Sequence, residues 1–424
     1  MIRDYPKLGE RLFRRTLPNG LTVLVNQRPG FTKKLAYFTA DMGSIHREFE
    51  LEGVKYTVPA GIAHYLEHKM FDLPDKDVSA RLAELGANVN AFTSYDLTAY
   101  YFSCTEHFEK CLELLLEFVS TPYFTAESVE KERGIIDQEI GMNLDAPDSV
   151  VFERLMEGMY RHHQIRMPIL GTSQSIREIT PELLELCHRA FYTPANMVLC
   201  VVGDVDPEQV CRLALDRLGE QKRPVGLKIG TEVEPMECVS NYSECKMEVA
   251  MPTFVLGFKS ESVGKGVDAI RQEIIGDLAS EILFGEASEL YLRLYEQGLI
   301  DTSFGGGFEM VDGCAMLNCG GDSHDPRAVR DAILARAAEL AAQGVDEQAF
   351  LRLRRSAMGR RIRDLDSFDS TCFRLCAYHF CGFEYFDFPA VYETVTASEV
   401  RAFLERVVTA ERCSLSVILP LEHE

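Results

Sequence analysis

The order of predicted strands and helices in the first half of the chain recurs in the second half. In the first half, a strand, two helices and two strands are predicted at residues 35–40, 61–71, 78–85, 91–95 and 99–104. In the second half, the same succession is predicted at residues 253–259, 268–284, 288–297, 302–308 and 314–319. The two halves share few letters, but the shared order is typical of an ancient duplication, so we expect two similar domains.

Length and composition give the boundaries of these domains. A chain of 424 residues is too long for one ordinary core and suits two domains of roughly 200 residues each. Residues 221–246 are polar, contain scattered Pro and Gly, and keep no helical or strand period. We therefore predict an N-terminal domain at 1–220, a linker at 221–246 and a C-terminal domain at 247–424.

Charge and cysteine content exclude several classes of protein. The net charge of −22 disfavours binding to nucleic acid or to anionic membranes, both of which need clustered Lys and Arg. Thirteen cysteines without a CxxC pair indicate neither a disulfide framework nor a zinc ribbon. The charged N-terminus has no apolar signal segment and no run reaches the length of a membrane span, so we expect a cytoplasmic protein.

One segment, GIAHYLEHKMF, carries residues suited to metal chemistry. On a helix, His64, Glu67 and His68 stand at i, i+3 and i+4 and therefore share one face. Two imidazoles one turn apart can bind one metal ion, and the carboxylate beside them can take a proton from an attacking water. This order is the inverted form of a zinc-protease motif, and the alternative is a solvated helix face.

A catalytic zinc site needs a third protein ligand from another element. The predicted helix at about 126–144 offers Glu130, Glu132 and Glu139, of which Glu132 and Glu139 share a face because they are seven residues apart. Spacing alone does not choose between these two. The second half has no histidine pair on its first helix, so we expect the chemistry in the N-terminal domain.

Several motifs together resemble one protein family. HYLEH, NAFTSYDLTAYYFS, EKERGIIDQEI, PILGTSQSIREIT and FYTPANMVLCVVGDV occur in the order and spacing of the M16 (pitrilysin/insulinase-type, inverzincin) zinc metallopeptidases. The resemblance covers essentially the whole chain and is closest to the bacterial two-domain members in the YmfH-like branch. It implies an α+β fold of two similar domains, each a largely antiparallel sheet with helices packed on one face, of the LuxS/MPP-like metallohydrolase type.

The same resemblance assigns roles to single residues. It implies one zinc ion per chain, with three ligands: His64, His68 and Glu139. It implies catalytic roles for Glu67, as the general base, and for Glu132, as an acidic residue that supports the site. It implies that an extended substrate lies along an edge strand formed by Asn90, Ala91, Phe92 and Thr93. For Phe92, plain packing within the sheet is the alternative.

The sequence departs from the family pattern in its second half. Members that act with their own second domain carry an Arg and a Tyr there, whereas ELYLRLYEQGLIDTSFG places Tyr295 and Asp301 at these positions. An ionised acid cannot donate a hydrogen bond to an oxyanion. We therefore expect a catalytic subunit that works with an M16-like partner supplying the Arg and Tyr, with a homodimer as the other option. The expected activity is cleavage of unfolded peptides or flexible segments inside a closed chamber; the alternative is a non-catalytic peptide-binding or scaffold subunit.

Two further groups are predicted to be structural. Cys372, Cys376 and His379 have a spacing that could bind a metal, but their apolar and aromatic flanks favour packing in a core. His162 and His163 are predicted to shape a loop.

Overall fold

The computed structural model describes residues 1–73, 78–230 and 233–421. Predictions that fall on residues 74–77, on the linker residues 231–232 and on the C-terminal residues 422–424 lie outside the described residues. No helix in the described ranges is both long enough and apolar enough to cross a lipid bilayer.

The strands in the described residues are β1 (Ile2–Tyr5), β2 (Glu10–Thr16), β3 (Thr22–Gln27), β4 (Lys34–Ala40), β5 (Glu48–Leu51), β6 (Val54–Thr57), β7 (Asn88–Thr93), β8 (Thr98–Cys104), β9 (Met197–Gly203), β10 (Leu227–Lys228), β11 (Tyr242–Met247), β12 (Thr253–Ser260), β13 (Gly305–Val311), β14 (Cys314–Asp322) and β15 (Cys413–Pro420). The helices are α1 (Ile62–Lys69), α2 (Val78–Glu84), α3 (Phe108–Ser120), α4 (Ala126–Leu144), α5 (Pro147–Met159), α6 (Pro181–Phe191), α7 (Pro207–Leu218), α8 (Val267–Phe284), α9 (Glu289–Glu296), α10 (Pro326–Gln343), α11 (Glu347–Arg363), α12 (Phe368–Phe380), α13 (Phe388–Thr394) and α14 (Ala397–Val407).

The first compact unit contains residues 1–140, 168–230 and 362–386. Its main sheet has the order β1-β2-β3-β9-β4-β8-β7, in which β3 and β9 are parallel and the other neighbours are antiparallel. One face of this sheet packs on helices in a single apolar core that includes Phe38, Leu66, Phe102, Leu115 and Leu199. The edge strand β7 therefore lies next to the part of this core that contains α1.

Helix α12, from far along the chain, covers the opposite face of the same sheet. Tyr37 on β4 and Cys200 on β9 are partners in register, and both lie outside the core cluster that contains their neighbours Phe38 and Leu199. Because side chains alternate along a strand, Tyr37 and Cys200 point to the second face. Cys372 on α12 lies 3.7 Å from the carbonyl oxygen of Cys200, and both thiols are buried.

The second compact unit contains residues 141–167, 231–361 and 387–424. Its sheet has the order β11-β15-β12-β14-β13, with β11 and β15 parallel. This repeats the order β3-β9-β4-β8-β7 strand for strand, including the single parallel pair. Helix α5 packs on β12 and β15 on one face, where a side chain at Gly257 would collide with the sulfur of Met159. Helix α8 packs on the other face, against Phe308 of β13.

The predicted fold class is confirmed: two similar domains, each built on a mainly antiparallel sheet with helices. Helices cover both faces of each main sheet, however, and not the one face that was expected. The predicted domains at 1–220 and 247–424 follow the order of the chain, whereas each compact unit also takes one segment from the other half. The physical reason is that each sheet has two apolar faces and the helices of its own half cover one of them. The predicted linker contains two strands, β10 and β11, which pair with β5 and β15.

Candidate active site

Helix α1 begins where Gly61 adopts a left-handed backbone conformation, with φ 88°. A side chain there would collide with the carbonyl oxygen of Leu170, so glycine is required both by φ and by space. The helix then buries Ile62 and Leu66 in the apolar core. This packing turns His64, Glu67 and His68 together to one side, as their spacing predicts.

The structure brings His64, His68 and Glu139 together. One possible ligand atom from each lies within 4.8 Å of the others, and within the described residues this is the one group of three or more His, Cys, Asp or Glu side chains so arranged. Nε2 of His64 and Nε2 of His68 each lie 3.6 Å from an oxygen of Glu139, which projects from α4. Two imidazoles and one carboxylate form the ligand set of a three-ligand zinc site.

Glu132, one helical repeat before Glu139, contacts the other side of His68. Its Oε1 lies 2.9 Å from Nδ1 of His68, so Nε2 of that ring is left facing Glu139. The hydrogen bond with His68 is the main reason why the pKa of Glu132 is lowered. The carboxylate therefore orients the ring, as carboxylates next to metal-binding histidines commonly do.

His64 has the protonation state that a metal ligand needs. It is buried, and burial together with the neighbouring His68 lowers its pKa to about 3. A neutral imidazole with a free lone pair is therefore present at neutral pH, and metal binding requires that form. The residues present thus fit a zinc ion in both chemistry and spacing.

Glu67 is bonded to the predicted substrate strand. Oγ1 of Thr93, at the end of β7, donates a hydrogen bond of 2.6 Å to Oε2 of Glu67. Burial raises the pKa of Glu67, and the bond from Thr93 opposes that rise by stabilising the carboxylate. A carboxyl group that is buried, close to two imidazoles and held by one hydroxyl is suited to accept and release a proton.

Strand β7 lies at an edge of the sheet, and some of its backbone N–H and C=O groups point away from its neighbour β8. The N–H of Ser94 donates a hydrogen bond to the carbonyl of Leu97. In an antiparallel ladder every second pair of residues is hydrogen-bonded, so Phe92 and Asn90 are the residues of β7 whose backbone groups bond to β8. The N–H and C=O of Ala91 therefore point to the open edge. Oδ1 of Asn90 accepts a hydrogen bond of 2.9 Å from the N–H of Ala91.

Phe92 packs against the second face of the sheet. Its ring contacts Tyr101, Tyr37 and Phe373, at centroid distances of 6.3, 6.5 and 5.9 Å. Because Phe92 and Thr93 point to opposite faces, Thr93 and not Phe92 reaches Glu67. The contacts of Phe92 are therefore those of a side chain that packs within the sheet, which was the alternative interpretation of this residue.

Comparison with known proteins decides the family. Residues 55–173 match the model described as "Insulinase (Peptidase family M16)", and residues 178–357 match "Peptidase M16 inactive domain". The chain is 37% identical over 98% of its length to an uncharacterized zinc protease, YmfH, of Bacillus subtilis (strain 168), and it covers 98% of that protein. The chain belongs to peptidase family M16.

Solved structures of other proteins have the same fold. A putative M16-like peptidase from Alicyclobacillus acidocaldarius superimposes with a TM-score of 0.94 at 33% identity, covering 99% of this chain and 100% of that one. A protease from Helicobacter pylori, 19% identical, superimposes with a TM-score of 0.83 over 97% of this chain and 100% of that one, and shares the fold.

In this M16 chain, the side chain of Asp301 forms hydrogen bonds within its own turn. Its Oδ1 accepts hydrogen bonds from the hydroxyl of Ser303, at 2.6 Å, and from the backbone N–H of Ser303, at 2.8 Å. These bonds lower the pKa of Asp301, so the side chain is ionised at neutral pH and has no proton to donate. Tyr295 is about half exposed, and its ring stacks on Tyr291.

Sequence reasoning missed two buried groups beside the M16 motif. Tyr65 occupies the first unspecified position of HxxEH, is fully buried, and donates from its hydroxyl to the carbonyl of Val129 on α4. Lys69 follows the motif, is also fully buried, and forms an ion pair with Asp72. The sequence did carry a signal: the helix must be buried, yet it bears the hydroxyl of Tyr65 and the ammonium group of Lys69. Buried polar groups need hydrogen-bond or ionic partners, so a partner for each could have been predicted.

Proposed function

We propose that this chain is a zinc-dependent endopeptidase that cleaves extended peptides bound along β7. The observation that supports this most directly is the convergence of His64, His68 and Glu139, with Glu67 joined to Thr93 of the same edge strand. Membership of a family whose relatives are named zinc proteases agrees with it. Cleavage inside a closed chamber is part of the proposal and is supported by family membership alone.

An extended peptide has a clear place to bind. By pairing with the N–H and C=O of Ala91, it would add a strand to the sheet and gain main-chain hydrogen bonds whatever its sequence. To bind there, the peptide displaces the side chain of Asn90, which accepts a hydrogen bond from the N–H of Ala91. Flexible segments can adopt the required extended form, whereas folded proteins cannot, so we propose unfolded peptides or flexible segments as substrates.

The residues divide the chemistry between them. His64, His68 and Glu139 would hold zinc, which when bound supplies a Lewis acid that polarises the peptide carbonyl and makes water acidic enough to react at neutral pH. Glu67 takes the proton of the attacking water and passes it to the leaving amine. Thr93 holds Glu67 in position, and Glu132 holds the ring of His68.

We further propose that the active form pairs this chain with an M16-like partner that supplies an Arg and a Tyr. The support is the ionised state of Asp301, which cannot donate to an oxyanion, together with the exposed Tyr295 at the other family position. Purification of this chain alone, with zinc and an unstructured peptide, tests the pairing. Full turnover by the isolated chain would overturn it, and recovery of a second M16-like chain from native extracts would support it.

Zinc stoichiometry and peptide cleavage by Glu67→Gln test the chemistry. We expect one zinc per chain in both proteins and a loss of cleavage of at least a hundredfold in the variant, from loss of general base catalysis. Unchanged cleavage with zinc retained would refute the role of Glu67. If the native chain binds zinc and peptide but cleaves in no pairing, the non-catalytic peptide-binding alternative holds.

A further inference from the structure

The hydroxyl of Tyr65 links the helix of the histidine pair to the helix of Glu139. Tyr65 lies on α1 directly after His64, and its side chain is fully buried. Its hydroxyl donates a hydrogen bond to the backbone carbonyl of Val129, near the start of α4. The link therefore joins the two helices at a residue next to His64 on α1 and at a residue ten positions before Glu139 on α4.

Helix α4 has few apolar contacts that could fix its position. Of its 19 residues, three are buried: Val129, Ile136 and Ile140. They form a narrow stripe along one side, and Glu132 and Glu139 lie beside this stripe and not on it. Burial of these three side chains favours one face of α4, but so narrow an apolar stripe leaves the position of the helix along its axis less constrained.

Polar contacts supply the missing constraint. Besides the bond from Tyr65, Nη2 of Arg133 donates to the carbonyl of Ile179 at 3.1 Å, on another part of the first unit. The bond from Tyr65 joins α4 to the HxxEH helix, as does the contact between Glu132 and Nδ1 of His68. The bond from Tyr65 is also buried, where a hydrogen bond is stronger than in water.

The position of α4 decides whether the ligand set can close on a metal. Both oxygens of Glu139 lie 3.6 Å from histidine nitrogens, and zinc requires its ligand atoms about 2.0–2.2 Å from the ion. A slide of α4 by one helical residue moves Glu139 by roughly 1.5 Å, enough to open the site. The same slide separates Glu132 from His68.

We propose that Tyr65 is a positioning residue that fixes α4 against α1 and so holds Glu139 and Glu132 at metal-binding distance. The inference rests on the proposed zinc site but not on peptide cleavage. Its readout is therefore metal binding, which can be measured without a substrate or a partner subunit.

The test is the zinc affinity of Tyr65→Phe, measured by competition with a chromophoric chelator on the full chain. This change removes one oxygen and keeps the ring, and we expect the dissociation constant to rise about tenfold, the low end of the effect of residues around metal ligands. The visible absorption of the cobalt-loaded variant should also change, because the ligand geometry around the ion changes.

A matched control separates positioning from general stability. Tyr160 is likewise buried, and its hydroxyl donates to the carbonyl of Ala315 at 3.3 Å in the second unit. Tyr160→Phe should lower the melting temperature while zinc affinity and the cobalt spectrum stay as in the native chain. Incorporation of 4-aminophenylalanine at position 65, which restores a donor, should recover most of the zinc affinity.

Three outcomes decide the inference. If Tyr65→Phe binds zinc within twofold of the native chain with an unchanged cobalt spectrum, the hydroxyl contributes to packing alone and the inference is wrong. If Tyr65→Phe does not fold, a chain with 4-methylphenylalanine at position 65 is tested instead. A native zinc affinity in that chain would likewise contradict the inference. If the native chain binds no zinc, the proposed function itself fails, and this inference fails with it.

Discussion

Oε1 of Glu132 lies 2.9 Å from Nδ1 of His68, and the two residues come from different helices. The contact holds the ring so that its other nitrogen faces Glu139. We therefore expect Glu132→Gln to weaken zinc binding by about 10–100-fold, because the charge that favours and orients the imidazole is lost. Asp137→Asn, an exposed change of the same charge on the same helix, is the control. Equal zinc dissociation constants for the two variants would show that Glu132 does not orient the ligand.

A second prediction concerns the acid side of the pH profile. Thr93 donates to the carboxylate of Glu67, which lowers the pKa of Glu67 against the effect of burial. Thr93→Val removes this donor and keeps the volume, so the pKa of Glu67 should rise and a smaller fraction should be ionised at a given pH. The acidic limb of kcat/KM for a model peptide should move to higher pH.

Thr93→Ser is the matched control for that experiment, since it retains the hydroxyl. Its acidic limb should stay near that of the native enzyme. A profile for Thr93→Val that overlays the native one would mean that the bond seen in the structure does not control the ionisation of Glu67.

Stability should depend on Glu234 in the second unit. Its carboxylate lies 3.0 Å from the fully buried ammonium of Lys259 and accepts from the backbone N–H groups of Arg161, His162 and His163. Glu234→Gln leaves the ammonium without its counter-ion, so we expect a loss of about 3 kcal/mol in the free energy of unfolding. Glu237→Gln, an exposed neighbour, should cost less than about 0.5 kcal/mol.

The stabilisation by Glu234 should depend on pH with a defined sign. Burial alone would raise the pKa of Glu234, but the backbone donors and Lys259 outweigh it and lower the pKa to about 2, from 4.5. A group whose pKa falls on folding stabilises above its unfolded pKa and loses that contribution as pH falls through the folded value. The gap in unfolding free energy between the native chain and Glu234→Gln should therefore narrow from pH 4.5 to pH 2. A gap that stays constant over this range contradicts the assignment.

Two groups of residues that the sequence predicted to be structural, His163 and the cysteines of α12, have structural contacts. His163 was predicted to shape a loop, and its Nδ1 accepts from the N–H of Ile165 while Nε2 lies 2.8 Å from the carbonyl of Asp312, as a structural histidine would. Cys372 and Cys376 were predicted to pack in a core and are fully buried, and within the described residues they join no metal-binding group.

Local pattern was sufficient for the helix of His64 and for strand β7, because helical spacing and strand alternation depend on neighbours in sequence. It was not sufficient for the bond between Thr93 and Glu67, which depends on how a strand and a helix 26 residues apart pack together. Nor could it show that Cys372 packs on Cys200, which lies 172 residues away. Both contacts are set by tertiary packing, which no single-sequence period encodes.

A fifth prediction follows from helix α12. A fragment in which a flexible linker joins residues 1–140 to residues 168–230 lacks α12, so the sheet face of Tyr37 and Cys200 is uncovered. At roughly 1.5–3 kcal/mol for each buried apolar side chain, the loss is comparable with the whole stability of a domain. We expect this fragment to aggregate and the same fragment fused through a flexible linker to residues 362–386 to be monomeric by size-exclusion chromatography. A monomeric, cooperatively unfolding fragment that lacks residues 362–386 would contradict the prediction.

The position of α12 in the chain also affects synthesis. A ribosome finishes residue 230 well before residue 386, and at about 5–20 residues per second the interval is roughly 8–30 s. Throughout that time residues 1–230 are without the helix that covers Tyr37 and Cys200 in the folded protein. We therefore expect the thiol of Cys200 to be accessible to oxidants, and this part of the chain to be accessible to chaperones, until α12 has been synthesised.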